Sequence, residues 1–118
     1  MVQRLRTMRI TLPSGTTAEI DLSVTNPVMG LVIMPDIFGL RPLFDDLVAR
    51  LAREWNMAVI AIEPFAGQTL SADIAERMTQ MPVLSDDAIL RDMHEAADAL
   101  VVDRVGLMGF CMGGMYCH

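Results

Sequence analysis

The chain has 118 residues, nine arginines and no lysine against 15 acids, and a formal net charge of −6. That length holds one domain at most, and the acidic balance argues against a general nucleic-acid partner. At 53% apolar residues the composition is rich for so small a chain, yet no apolar run reaches the roughly 20 residues of a membrane span, so no membrane role is expected.

In chain order, Met1 to Ile10 is rich in arginine and free of acid, which suits a transit peptide. Apolar and polar residues partly alternate there, however, and the run leads into Pro13-Ser14-Gly15. A strand over Arg4–Leu12 and a turn at Pro13–Thr16 fit better. Thr17–Val24 alternates, with Ala18, Ile20, Leu22 and Val24 on one face, and predicts a half-buried strand antiparallel to the first. Thr25-Asn26-Pro27 breaks the pattern. Val28–Met34 is a near-continuous apolar strand, followed by the loop Pro35-Asp36-Ile37-Phe38-Gly39. Pro42 suits the first turn of a helix, whose apolar face is predicted from Leu43, Leu47, Leu51 and Trp55, with Asp46 and Arg50 as an i,i+4 pair.

Met57–Ile62 is a further buried strand, and Glu63–Leu70 a loop. Ser71–Gln80 reads as a short helix capped by Ser71 and broken by Pro82. Ser85 caps a longer helix from Asp86 to about Leu100, with Ile89, Met93, Ala96, Ala97 and Leu100 on its apolar face. Arg104–Met108 is the last strand. Eleven methionines are expected to fill core space.

Two antiparallel strands followed by strands alternating with helices predict an α/β fold with a mostly parallel sheet and an antiparallel N-terminal hairpin, residues 1–118 forming part of a single domain. Ligands of such sheets bind beyond the carboxyl ends of the strands. Asp36, Glu63 and Cys111 all stand at such ends.

The last of these lies in Gly109-Phe110-Cys111-Met112-Gly113-Gly114, a Gly-x-nucleophile-x-Gly elbow directly after a strand. The turn needs small residues two places before and after the nucleophile, here Gly109 and Gly113, because strand and helix approach closely. The helix that follows places its N-terminal N–H groups beneath the side chain, which favours a thiolate and a developing oxyanion. Cys111 and Cys117 are six apart and face opposite sides of a helix, so no internal disulfide is expected. Free cysteines without a secretion signal suit a reducing cytoplasm.

Asp36-Ile37-Phe38-Gly39-Leu40, Glu63-Pro64-Phe65-Ala66-Gly67 and the cysteine elbow, in that order and spacing, resemble the dienelactone hydrolase family of the α/β-hydrolase fold. The resemblance spans nearly the whole chain and about the first half of a family member. It implies hydrolysis of an ester or lactone through a Cys-His-Asp triad, with Cys111 as nucleophile and the N–H groups of Ile37 and Met112 as the oxyanion hole. In the family a glutamate before the Ile-Phe-Gly segment holds the resting thiol; Asp36, one methylene shorter, occupies that position here. The family grips a substrate carboxylate with arginine, for which Arg77 and then Arg41 are the candidates. A small-molecule ester or lactone is the implied partner, and no cofactor or metal is implied.

His94 sits on the polar flank of its helix, and His118 is carried about two turns away from Cys111, so neither suits the triad. Cys117-His118 supplies only two adjacent ligands and makes no metal site. By resemblance the acid and histidine would lie beyond residue 118, so the sequence reads as a hydrolase domain truncated after its elbow. The 118-residue polypeptide alone is then expected to be inactive and to self-associate through an open sheet edge. Two alternatives remain: a broader carboxylesterase or thioesterase on the same fold, or a catalytically incomplete fragment that binds or assembles.

Overall fold

The computed structural model describes residues 7–35, 39–63 and 86–109. Among them five strands form one sheet: β1 (Met8–Thr11), β2 (Thr17–Asp21), β3 (Met29–Met34), β4 (Met57–Ile62) and β5 (Val105–Gly109). Two helices, α1 (Pro42–Trp55) and α2 (Asp86–Ala99), connect the later strands. The strand order is β1-β2-β4-β3-β5. β1 pairs antiparallel with β2 and β2 with β4, whereas β3 runs parallel to both β4 and β5. The described sheet is mixed: β4, β3 and β5 run parallel, and the predicted antiparallel N-terminal hairpin joins them through a second antiparallel pairing, β2 with β4.

The continuous apolar runs of β3 and β4 follow from burial on both faces. Side chains alternate across a strand, and here both faces meet a helix. Leu31, Ile33, Val59 and Ala61 pack with Phe44, Val48, Leu51 and Ala52 of α1. Val32, Met34, Ala58, Ile60 and Ile62 pack with Ile89, Met93 and Ala96 of α2 and with Leu100 just beyond it. Each such large side chain, buried fully, contributes about 1.5–3 kcal/mol, so the sheet is held between two apolar layers of comparable size.

Three sequence expectations are corrected. The buried face of α1 is Phe44, Val48, Ala49, Leu51 and Ala52, while Leu43 and Trp55 are exposed. Residues four apart drift by about 40° per step at 3.6 residues per turn, so a stripe 43-47-51-55 winds off the core and only its third member stays buried. Asp46 and Arg50 do not pair; Asp45 instead meets Arg9 of β1, at 3.2 Å.

β2 differs too. It ends at Asp21, and Leu22 is exposed. The Asp21 carboxylate accepts from the N–H and hydroxyl of Ser23 at 2.8 and 2.6 Å, a local turn that stops the alternation. Val24 packs on the α1 side, opposite to Ala18 and Ile20. The polar face of β2 is buried: Glu19 and Asp21 are 5% and 2% exposed, and Arg9 reaches Glu19 at 3.1 Å. Smaller shifts occur elsewhere. β3 begins one residue later than predicted, and β5 runs one residue later, so Gly109 is its last residue; β1 spans Met8–Thr11 and the predicted start at Arg4 lies outside the described residues. The predicted helix at 71–80 and the Ser85 cap lie outside the described residues.

The hairpin is fastened to α2 by one buried acid. Asp92, 6% exposed, accepts from the hydroxyls of Ser14 and Thr16, each at 2.6 Å. The Ser14 N–H donates to Glu95 at 2.9 Å. Nothing in the helical periodicity marked Asp92, which sits among the apolar positions of α2. Val101 just after that helix takes a positive φ of 53°, an uncommon state for a β-branched residue.

Candidate active site at the carboxyl edge of the sheet

The parallel strands β4, β3 and β5 bring their carboxyl ends to one edge. Ile33 stands opposite Ala61, and Met34 opposite Gly109. The chain leaves β3 toward α1 on one face and leaves β4 toward α2 on the other. Where neighbouring connections diverge to opposite faces, a crevice opens at the strand ends, and ligands of open α/β sheets bind there.

Two described segments stand at this edge. Gly39, Leu40 and Arg41 follow β3, and Glu63 follows β4. Gly39 is buried and has φ +72°, the left-handed state that favours glycine. The Glu63 carboxylate fills the space beside it. A Cβ at Gly39 would stand 2.5 Å from Glu63 Oε1 and 2.9 Å from its Cδ. Glu63 is itself fixed at the backbone, where its N–H donates to the Thr17 carbonyl at 2.9 Å.

Arg41 holds the other side of Gly39. Its Nη1 donates to the Gly39 carbonyl at 3.0 Å, and its guanidinium lies 5.1 Å from the centroid of the buried Phe44 ring. The Arg41 carbonyl accepts from the N–H groups of Phe44 and Asp45 and so opens α1, with Pro42 in its first turn. The segment that leads into α1 is therefore anchored at two residues, Gly39 and Arg41.

Of the residues singled out in the sequence, the structure places three at this edge: Gly109, at the end of β5 opposite Met34, and Glu63 and Arg41, beyond β4 and β3. Asp36, Ile37, Arg77, Cys111, Met112 and Gly113 lie outside the described residues. In sequence, Asp36 and Cys111 are each the second residue past the registered pair Met34 and Gly109. His94 is exposed on α2, on the polar flank predicted for it. Among the described residues no group of three or more His, Cys, Asp or Glu could hold a metal ion, and no helix is long and apolar enough to cross a membrane. A hollow of about 370 Å³ bordered by Asn26, Met29, Val102 and Arg104 lies at the amino ends of β3 and β5, away from this edge. The contact of Gly39 with Glu63 was invisible in the sequence, where the only hint was a glycine placed shortly before a helix-opening proline.

The fold and this edge carry a family likeness that direct comparison decides. The sequence profile of the dienelactone hydrolase family matches residues 17–117. This chain belongs to the dienelactone hydrolase family. A Bradyrhizobium sp protein named a probable 2-oxo-3-(5-oxofuran-2-ylidene)propanoate lactonase is 32% identical over 116 residues, covering 86% of this chain and 46% of the relative. Carboxymethylenebutenolidase 2 of Cupriavidus pinatubonensis is 26% identical over 88 residues, covering 73% of this chain and 37% of the relative. A dienelactone-hydrolase-like structure from Klebsiella pneumoniae superposes with a TM-score of 0.79 at 23% identity, covering 93% of this chain and 53% of that one; it speaks for the α/β-hydrolase fold alone. The chain spans about half the length or less of the curated relatives it matches.

Proposed function

We propose that the protein to which this chain belongs hydrolyses a small ester or lactone, with Cys111 as the nucleophile. The observation that carries the reading is the register of Met34 with Gly109. It brings the strand that precedes the Gly-x-Cys-x-Gly elbow and the strand that precedes the Asp-Ile-Phe-Gly loop to one height. Family membership and a lactonase relative at 32% identity support the reaction class.

In this reading the Cys111 thiolate attacks the carbonyl carbon, and the N–H groups of Ile37 and Met112 receive the oxyanion. The alcohol or enol leaves with a proton. Water then adds to the thioester and releases the acid, which restores the thiol. Asp36 contacts the resting thiol. Arg77 or Arg41 meets a substrate carboxylate, a pairing that suits the guanidinium fork. The acid and histidine of the triad come from residues after 118. A reducing cytoplasm keeps the thiol available.

The test is Cys111→Ala in the intact protein, assayed with p-nitrophenyl acetate and a dienelactone. Loss of turnover on both substrates supports the reading. Retained turnover on both overturns it. Turnover of simple esters or thioesters without lactone opening would favour the broader esterase alternative.

A further inference from the structure

We infer that the hollow at the amino ends of β3 and β5 binds a free apolar α-amino acid, with Asp103 and Arg104 meeting its charged head and Val28, Met29 and Val101 its side chain. The hollow lies at the opposite end of the sheet from Gly109, and the inference stands apart from the hydrolase reading.

The hollow encloses about 370 Å³, within the size range of small-molecule sites. One wall is the connection into β3, with Asn26, Val28 and Met29. The other is the connection from α2 to β5, with Val101, Asp103 and Arg104. The Gly30 N–H donates to the Arg104 carbonyl at 2.7 Å, which ties the two walls together, and the Val28 N–H donates to the Asn56 carbonyl at 2.9 Å. Gly30 is packed tightly: a Cβ there would stand 2.8 Å from both Leu100 and Val102. A site built before its ligand arrives loses little to ordering on binding.

Val101 points the same way. The left-handed residue at a helix end is usually Gly or Asn, and α1 follows that rule with Asn56 at φ 55°. After α2 the place falls to Val101, at φ 53°, where a β-branched residue is a steric outlier. Its side chain is 85% exposed, so packing offsets little of that strain. Strain of this kind gathers at ligand clamps. Val101 on one wall and the exposed Val28 on the other offer an apolar ligand surface to cover.

The charges select the head group. Asp103 and Arg104 are exposed, and neither has an ion pair among the described residues. A plain carboxylate would suit Arg104 but meet Asp103, in a chain of net charge −6. A plain amine would suit Asp103 but meet Arg104. A zwitterion satisfies both, its carboxylate on the guanidinium and its ammonium on the Asp103 carboxylate. The Asn26 amide, donor and acceptor at once, serves either group.

The experiment titrates the intact protein by calorimetry with L-leucine, with its one-charge analogues 4-methylpentanoate and isoamylamine, and with glycine, and locates binding from amide NMR shifts. Leucine is expected to bind saturably at about 1 mM or tighter, a modest contact energy per atom for so small a ligand, and to move the amides of Val28, Gly30 and Val101. Each one-charge analogue is expected to bind about fivefold more weakly, the scale of one exposed ion pair. Glycine is expected to bind at least about 10-fold more weakly, for want of an apolar side chain.

The variants separate the roles. In Arg104→Gln, leucine and isoamylamine are expected to bind alike; in Asp103→Asn, leucine and 4-methylpentanoate. Val101→Gly is expected to weaken leucine binding while the urea midpoint stays level or rises, because glycine takes the left-handed state freely. No saturable binding of leucine, analogues that bind as well as leucine, or shifts confined to other amides would overturn the inference. So would a lowered urea midpoint for Val101→Gly, which would assign Val101 to the fold and not to a ligand.

Discussion

Met34 stands directly opposite Gly109 in the parallel pairing of β3 and β5. The pairing is continuous from Gly30 with Val105 to this last pair, and a one-residue slip would turn every side chain of β5 to the other face. The height at which the elbow leaves the sheet is therefore set by the sheet and not by the elbow. Gly109 takes its place from five consecutive strand pairs.

Cys111 should accordingly be the fast thiol. In the folded intact protein, iodoacetamide labelling near neutral pH, read by mass spectrometry, is expected to modify Cys111 at least ~10-fold faster than Cys117, because in the proposed reading only Cys111 stands in the Gly-x-Cys-x-Gly pattern, and an elbow at a helix N-terminus lowers a thiol pKa. Equal rates would remove Cys111 as the nucleophile.

Asp36 is expected to govern how that rate varies with pH. If the carboxylate contacts the resting thiol, Asp36→Ala moves the pH profile of Cys111 alkylation, because a neighbouring negative charge disfavours the thiolate. Asp36→Glu keeps a similar coupling. An unchanged profile for Asp36→Ala would make Asp36 a residue that only shapes its loop.

Asp92 is expected to matter for stability and not for chemistry. Asp92→Ala removes the acceptor of the buried Thr16 hydroxyl and of the Ser14 hydroxyl, at a cost of about 2–4 kcal/mol for losing hydrogen bonds to a charged group. Urea denaturation of the intact protein measures it. The selectivity of Cys111 over Cys117 should be unchanged in the folded variant.

Gly30 is expected to tolerate no side chain. It lies at the amino end of β3, and a Cβ there would stand 2.8 Å from both Leu100 Cδ1 and Val102 Cγ2. Gly30→Ala is expected to destabilise by about 1–3 kcal/mol through overpacking, again read by denaturation. A neutral effect would mean that the segment after α2 yields easily.

The much longer reach of the family beyond this chain suggests a test on the 118-residue polypeptide itself. β5 is the outermost strand of the described sheet, and Leu107 within it is 46% exposed. An apolar edge strand templates pairing with another chain. Expressed alone, the polypeptide is expected to elute as oligomer or aggregate in size-exclusion chromatography and to show no multiple turnover of p-nitrophenyl acetate. A monomer with turnover abolished by Cys111→Ala would show a complete site within these residues.

The elements were legible because they repeat. β4 was read at its observed bounds, and of the face named for the longer helix, Ile89, Met93, Ala96 and Leu100 are buried and Ala97 partly so. Where a pattern admitted two windings the reading went astray: Leu43 and Trp55 look as apolar as Phe44 and Val48, and only packing shows which stripe meets the sheet. Buried charge was missed for a related reason. Glu19 and Asp21 alternate as a solvent face should, but α1 and Arg9 cover that face. The motifs told where chemistry belongs along the chain. The contact between Gly39 and Glu63, 24 positions apart on two non-repeating loops, leaves no periodic trace and needed three dimensions.

The bonds from Ser14 and Thr16 to Asp92 also bear on the order of synthesis. β1 and β2 form a hairpin within the first 21 residues, yet the acid that fastens its turn comes 76 to 78 positions later. Closing so long a loop is entropically costly and slow. A ribosome thus releases the hairpin sequence well before Asp92, and the turn at Ser14 and Thr16 lacks that acceptor until α2 has emerged. Slowing translation between Thr16 and Asp92 should prolong that interval and raise the demand for chaperones.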